Sequence, residues 1–158
     1  MNKILGTYIL LLSIFLISSC TYKPIFSETS YNFTINEIIF TGEKDINKII
    51  KKRLNLIKND NEVDKRGYNL LINSIQNKII VSKNSKGDPQ KFELVLTTYF
   101  EIRDDSKLLF KSEIEKNNIY NNVTDKFKLE QDERVIIENL SEKISEVIIS
   151  SIINLNDS

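Results

Sequence analysis

The 158-residue chain contains no histidine and no tryptophan, one cysteine, four glycines and two prolines. Without imidazole it lacks the usual general base and the commonest metal ligand, and a single thiol closes no disulfide within the chain and builds no cysteine metal site. Carboxylates and lysines alone can still run an enzyme, so catalysis is made rarer without being excluded. Gly67 and the pair Asp88-Pro89 read as turn punctuation, with no phosphate-cradling loop around them. The 22 basic and 22 acidic residues cancel, so no global field draws in nucleic acid. There is no internal repeat and no low-complexity segment. The weight of Ile, Lys and Asn reflects an AT-rich coding sequence more than a structural demand.

What is present begins at the N-terminus. Lys3 precedes an apolar stretch from Ile4 to Ile17, which ends in Ile17-Ser18-Ser19-Cys20. The stretch falls short of the roughly 20 residues that a bilayer span needs, and its basic start, apolar middle and small-residue end are those of a secretory signal. Lipoprotein processing requires an aliphatic residue three before a cysteine, two small residues and then the thiol that takes up diacylglycerol; Ile17, Ser18, Ser19 and Cys20 supply them. Residues 1–19 therefore read as a signal peptide, 20–30 as a lipidated segment and 31–156 as one domain. An uncleaved anchor with an incidental cysteine is the blander reading, and the placement of the thiol at the apolar–polar boundary argues against it. Thr21 is not the Asp that commonly retains bacterial lipoproteins in the inner membrane, which favours the periplasmic side of the outer membrane; this is a sorting rule, not physics.

Hydrophobic periodicity predicts the rest. Tyr31, Phe33 and Ile35 alternate as a first strand, and Ile46, Ile49, Ile50, Leu54 and Ile57 recur at helical spacing from a cap at Asp45 to about Lys58. Beyond the polar stretch Asn59 to Arg66, Tyr68, Leu70 and Ile72 open a second strand whose alternation slips, with a bulge expected near Ser74. Lys86-Gly87-Asp88-Pro89 closes a hairpin into the clearest strand, with Phe92, Leu94, Leu96, Thr98, Phe100 and Ile102 on one face. Asp104-Asp105-Ser106-Lys107 turns it into a fourth strand, Leu108 to Tyr120. From Asp125 or Lys126 the period becomes helical, through Val135, Ile136, Leu140, Ile144, Val147, Ile148, Ser151 and Ile152. The expected fold is α+β: a small, mostly antiparallel four-stranded sheet covered on one face by two helices, in the order β-α-β-β-β-α.

Few constellations carry chemistry. Asp104 with Asp105, and Asp132 with Glu133, are neighbours whose side chains point apart, so turn solvation and helix N-terminal charge account for them. No metal ligand set and no cofactor site emerges. Lys51-Lys52-Arg53 reads as a solvated helix face or, more sharply, as attachment to acidic headgroups. Asn122-Val123-Thr124 matches a glycosylation sequon that a bacterial lipoprotein signal makes irrelevant. Tyr22, Phe26, Tyr31 and Phe33 follow the lipid site closely enough to sit at a membrane interface or to pack on the fold.

The segment Cys20-Thr21-Tyr22-Lys23-Pro24-Ile25-Phe26 resembles the opening of the mature LPS-assembly lipoprotein LptE family, above all its alphaproteobacterial form: cysteine, glycine, aromatic, any residue, proline, aliphatic, aromatic. Only Thr21 departs, standing where the family has glycine. Tyr68-Asn69-Leu70 is similar to the entry of the family's second strand, Glu93 to Phe110 to its hairpin with an acidic turn, and Arg134 to Ile153 to its closing helix. The resemblance implies an LptE-like domain over 31–156 that is no enzyme. Such a protein plugs the LptD outer-membrane β-barrel, helps it assemble and assists delivery of lipopolysaccharide to the outer leaflet, its lipid on Cys20 holding it to the membrane. Basic side chains in the family are associated with lipopolysaccharide phosphates; Lys107 and Lys111 are candidates by chemistry.

Two other classes compete. An auxiliary lipoprotein of a phospholipid transport system would share size and fold class, yet Tyr31-Asn32-Phe33 lacks the paired aromatic and leucine expected in its first strand. A carboxylate-dependent periplasmic hydrolase would bring two acidic residues together in a pocket.

Overall fold

The computed structural model describes residues 32–57 and 65–157. The signal sequence, Cys20, the segment to residue 30, the aromatics Tyr22, Phe26 and Tyr31, and the polar stretch 58–64 lie outside the described residues.

The elements run β1 (Phe33–Gly42), α1 (Lys44–Asn55), β2 (Arg66–Lys83), β3 (Pro89–Asp104), β4 (Lys107–Asn121) and α2 (Lys126–Asn156). The strands lie side by side in chain order, with β1 parallel to β2 and the other two pairs antiparallel. The parallel pair follows from α1: a helix between two strands carries the chain back, so β2 starts at the end where β1 started. This is the expected α+β fold, with both helices on one face of a mostly antiparallel sheet.

The core is the alternation of β3 made solid. Leu94, Leu96, Phe100 and Ile102 are buried with Leu70 and Ile72 of β2 and Phe33 and Ile35 of β1. Ile46, Ile50 and Leu54 of α1 and Leu140, Ile144, Ile148 and Ile152 of α2 close over them. Each such aliphatic side chain contributes about 1.5 to 3 kcal/mol relative to exposure, and no disulfide assists. Asp125 caps α2, its carboxylate accepting from the backbone N–H of Phe127 at 3.0 Å and of Lys128 at 3.2 Å. The β2–β3 turn is held by Asn84, whose Oδ1 accepts from the N–H groups of Lys86 and Asp88, both at 2.9 Å.

Four local expectations need correction. Asp45 does not cap α1; Glu43 holds the cap position without a side-chain bond, and Asp45 sits in the first turn. The start of α1 is fixed from β2 instead. Gly42 has φ +83°, and a Cβ there would lie 2.0 Å from the Ser74 carbonyl oxygen, which accepts from Glu43 N–H at 2.9 Å. Asn47 Nδ2 donates to the Thr41 carbonyl at 2.8 Å while its Oδ1 accepts from Ser74 Oγ at 2.7 Å.

The bulge expected near Ser74 is absent: β2 and β3 stay in register from Asn69 to Ile80, and Ser74 occupies an inward position. The irregularities in that pair fall next to its turn, where Val81 of β2 and then Gln90 of β3 are skipped. A bulge does occur in β1, where Asn36 is skipped between Ile35 and Glu37, turning Ile38 and Phe40 toward the core. Gly67 is no turn residue; it lies in β2 beside that bulge, where a Cβ would come within 2.3 Å of the Asn36 carboxamide. Finally, the buried stripe of α2 is rotated by about one residue. Ser141, Ser145 and Ile149 are inside while Val135 and Val147 are exposed, because small residues let the helix approach the sheet. Ser145 satisfies its hydroxyl on the Ser141 carbonyl at 2.7 Å.

Candidate functional site

The two lysines singled out by chemistry are not brought together. Lys107 opposes Asp104 at the tip of the β3–β4 hairpin, whereas Lys111 opposes Glu101. A register step that skips Leu109 lies between them, so Lys111 projects from the face away from the helices and Lys107 from the other. Lys111 Nζ lies 3.7 Å from Glu101, which also accepts from Arg103 at 2.5 Å. Hydrogen bonding from Arg103 holds the Glu101 carboxyl below its usual range. Lys111 is thus partly neutralised and Lys107 is the freer cation.

The acidic neighbours act structurally. Asp104 accepts from Arg66 at 3.3 Å, and Asp105 forms the turn at φ +49°. Glu133 accepts from Lys78 Nζ at 2.5 Å and from the Tyr120 hydroxyl at 2.7 Å, while the Lys78 ammonium also sits 4.3 Å from the centre of the Phe92 ring. Burial and then the bond to Glu133 push the Tyr120 hydroxyl far above the ordinary tyrosine range. Four side chains thereby pin the first turns of α2 to the far end of the sheet.

The feature that stands out is the uncovered face of the sheet. Both helices lie on one side, and the opposite side presents Ile39 from β1, Ile75 and Ile79 from β2, Tyr99 from β3 and Leu108 and Ile119 from β4. Ile79 and Ile119 flank Glu93 across three strands and are 48% and 55% exposed. These side chains alternate with Asn73, Asn77, Glu93, Glu101, Lys111, Glu113 and Glu115 on the same face, so the open surface is mixed, with large apolar side chains from all four strands. Toward the hairpin tip it holds a shallow hollow of about 280 Å³ bounded by Thr41, Leu71, Asn73, Tyr99, Glu101 and Lys111. The charge of Glu113 and then burial raise the Tyr99 hydroxyl above its ordinary value. Sequence reading missed this surface, although its signal was present: the slip in the second strand was apolar residues falling on both faces.

A second concavity, an open cleft of about 940 Å³, runs between α1 and α2 on the outside of the helix layer. Ile49, Leu56 and Ile137 give it apolar walls; Lys48, Lys52 and Arg134 line it with Asp45 and Glu138. Arg53 bridges it to Glu142 at 2.5 Å. Of the acidic residues Asp45, Glu138 and Glu142 that line it, Glu142 is engaged by the Arg53 guanidinium. Among the described residues no group of three or more Asp and Glu is placed to hold a metal ion, and no helix is long and apolar enough to cross a membrane.

No protein-family model and no curated protein matches the chain. Solved structures share its fold. Rare lipoprotein B from Shewanella oneidensis superposes with a TM-score of 0.55 at 17% identity, over 76% of this chain and 98% of its own. An uncharacterized lipoprotein B from Nitrosomonas europaea gives 0.60 at 16% identity, over 80% and 87%. A minor lipoprotein from Acinetobacter baumannii gives 0.52 at 18% identity, over 75% and 94%. At such identities the likeness speaks for the fold, which spans most of each of these chains.

Proposed function

We propose that this chain is an outer-membrane lipoprotein, acylated at Cys20, that plugs an LptD-type β-barrel, assists its assembly and serves the transfer of lipopolysaccharide to the outer leaflet. The observation that carries the reading is the combination of a lipoprotein signal ending at Cys20 with a fold shared by three bacterial lipoproteins over at least 75% of the chain. The fold suits the task physically. Four strands at about 4.8 Å spacing under one layer of helices make a body roughly 20 Å across, which fits the lumen of a wide barrel of the plugged type. The open sheet face, where Ile39, Ile75, Ile79, Tyr99 and Ile119 stand among Glu93, Glu101, Lys111, Glu113 and Asn117, packs on the inner barrel wall, and the lipid stays in the inner leaflet below. A plug held in this way works by filling space and blocking leakage, and the chain performs no chemistry.

Depletion of the protein tests this directly. Surface lipopolysaccharide and the oxidised, full-length form of the barrel should both fall; unchanged levels of both reject the reading. Copurification with an inner-membrane transporter would instead assign the chain to phospholipid transport.

A further inference from the structure

Charge is unevenly placed in this neutral chain. Of the twelve residues of α1, five are basic and only Asp45 is acidic. Lys44, Lys48 and Lys51 recur at four and three residues with Lys52 beside them, on the side opposite the buried Ile46, Ile50 and Leu54, and all four lysines are exposed. Arg53 is taken up by Glu142, whereas none of the four lysines pairs with a carboxylate among the described residues. Leu56, at the C-terminal end of this stripe, is 65% exposed. A merely solvated helix face mixes both signs, as α2 does; with its apolar face buried in the core, α1 offers a lysine face ending in a bare leucine, which is complementary in charge to an anionic membrane surface.

Topology places that helix correctly for such a contact. The chain arrives from Cys20 at Phe33, β1 leads away from this point, and α1 returns toward it, so that Leu54, Ile57 and Phe33 share one core. The stretch between Cys20 and Phe33 spans at most roughly 45 Å, which leaves the helix within reach of the plane in which the lipid is inserted. Because the helices and the open sheet face lie on opposite sides, a molecule resting on α1 presents its sheet face away from the membrane.

We propose that α1 is a second membrane contact of the anchored protein before it enters a barrel. Lys44, Lys48, Lys51 and Lys52 lie on anionic phospholipid headgroups, Leu56 enters the acyl boundary, and the sheet face is thereby oriented toward its partner. The inference rests on the reading of Cys20 as acylated.

The test uses the purified, acylated full-length product in phosphatidylcholine vesicles with and without phosphatidylglycerol. Acylation consumes the only thiol, so Leu56→Cys accepts a single nitroxide, and Asn117→Cys on the open face serves as control. With phosphatidylglycerol the Leu56 label should become accessible to oxygen and shielded from a water-soluble relaxant; in phosphatidylcholine alone, and at Asn117 throughout, it should stay aqueous. Each lysine adds roughly fivefold to the attraction, so Lys48→Gln, Lys51→Gln and Lys52→Gln together should weaken docking about a hundredfold and return the label to water. A Leu56 label that is aqueous in both lipids, or buried in both regardless of the lysines, overturns the proposal. Intact mass separates the two readings: an unmodified Cys20 rejects the anchor, and cosedimentation of that protein with phosphatidylglycerol vesicles then decides for the helix, its absence against it.

Discussion

Asn47→Ala tests the account of how the β1–α1–β2 crossover is held. Asn47 is 8% exposed and spans two elements, donating to the Thr41 carbonyl at 2.8 Å and accepting from Ser74 Oγ at 2.7 Å. Truncation removes two hydrogen bonds and strands a buried hydroxyl at Ser74, which is 1% exposed. Each bond contributes about 1 kcal/mol net and the orphaned group adds a desolvation cost, so Asn47→Ala should destabilise by about 2 to 3 kcal/mol. Ser74→Ala loses one bond and leaves Asn47 Oδ1 without that donor, about 1 to 2 kcal/mol. The double variant should then cost about 1 kcal/mol less than the sum, because the shared bond is lost only once. Urea unfolding of the four proteins measures this, with the midpoint falling and the slope unchanged. Strict additivity, or a cost for Asn47→Ala under about 0.5 kcal/mol, would show that the crossover is held by apolar packing alone.

Two glycines in contrasting settings should respond unequally to alanine. Gly42→Ala forces a Cβ against the Ser74 carbonyl at a positive φ and should cost about 3 kcal/mol, whereas Gly67→Ala has only the mobile Asn36 side chain to displace and should cost under about 1 kcal/mol by the same unfolding assay. Tyr120 stays protonated in the folded state well above its ordinary value of 10.0, so the stability it confers is full below that pH and declines as pH rises past it, when the unfolded tyrosine ionises first. Glu133→Gln should bring one tyrosinate absorbance step back toward that value and cost about 1 kcal/mol, the modest size reflecting partial exposure of Lys78. Ile79→Lys on the open sheet face should change stability by less than about 1 kcal/mol yet abolish barrel copurification; retained copurification would move the contact elsewhere.

The fold was legible where period and burial agreed. In β3 Leu94, Leu96, Phe100 and Ile102 share one buried face with Thr98 among them, and Leu140, Ile144, Ile148 and Ile152 meet the helical period, so layer, order and covered face followed from sequence. Local pairing was less legible because it depends on partners distant along the chain. The skipped Asn36 is seen only against Gly67, and the carboxamide of Asn47 acquires meaning only once Ser74 lies beside it. The slip in β2 misled because alternation was judged on one face, when Ile75 and Ile79 belong to the other. Lys107 and Lys111 were chosen by charge, and a one-residue register step sent them to opposite faces.

On the proposed function, the lipidated plug works inside a barrel. Affinity purification of the full-length protein from detergent-solubilised envelopes, with mass-spectrometric identification of what it retains, addresses it most directly. An outer-membrane β-barrel should be recovered together with a protein whose Cys20 carries acyl chains. Recovery of the protein unacylated from the soluble fraction, with no barrel attached, would contradict the account.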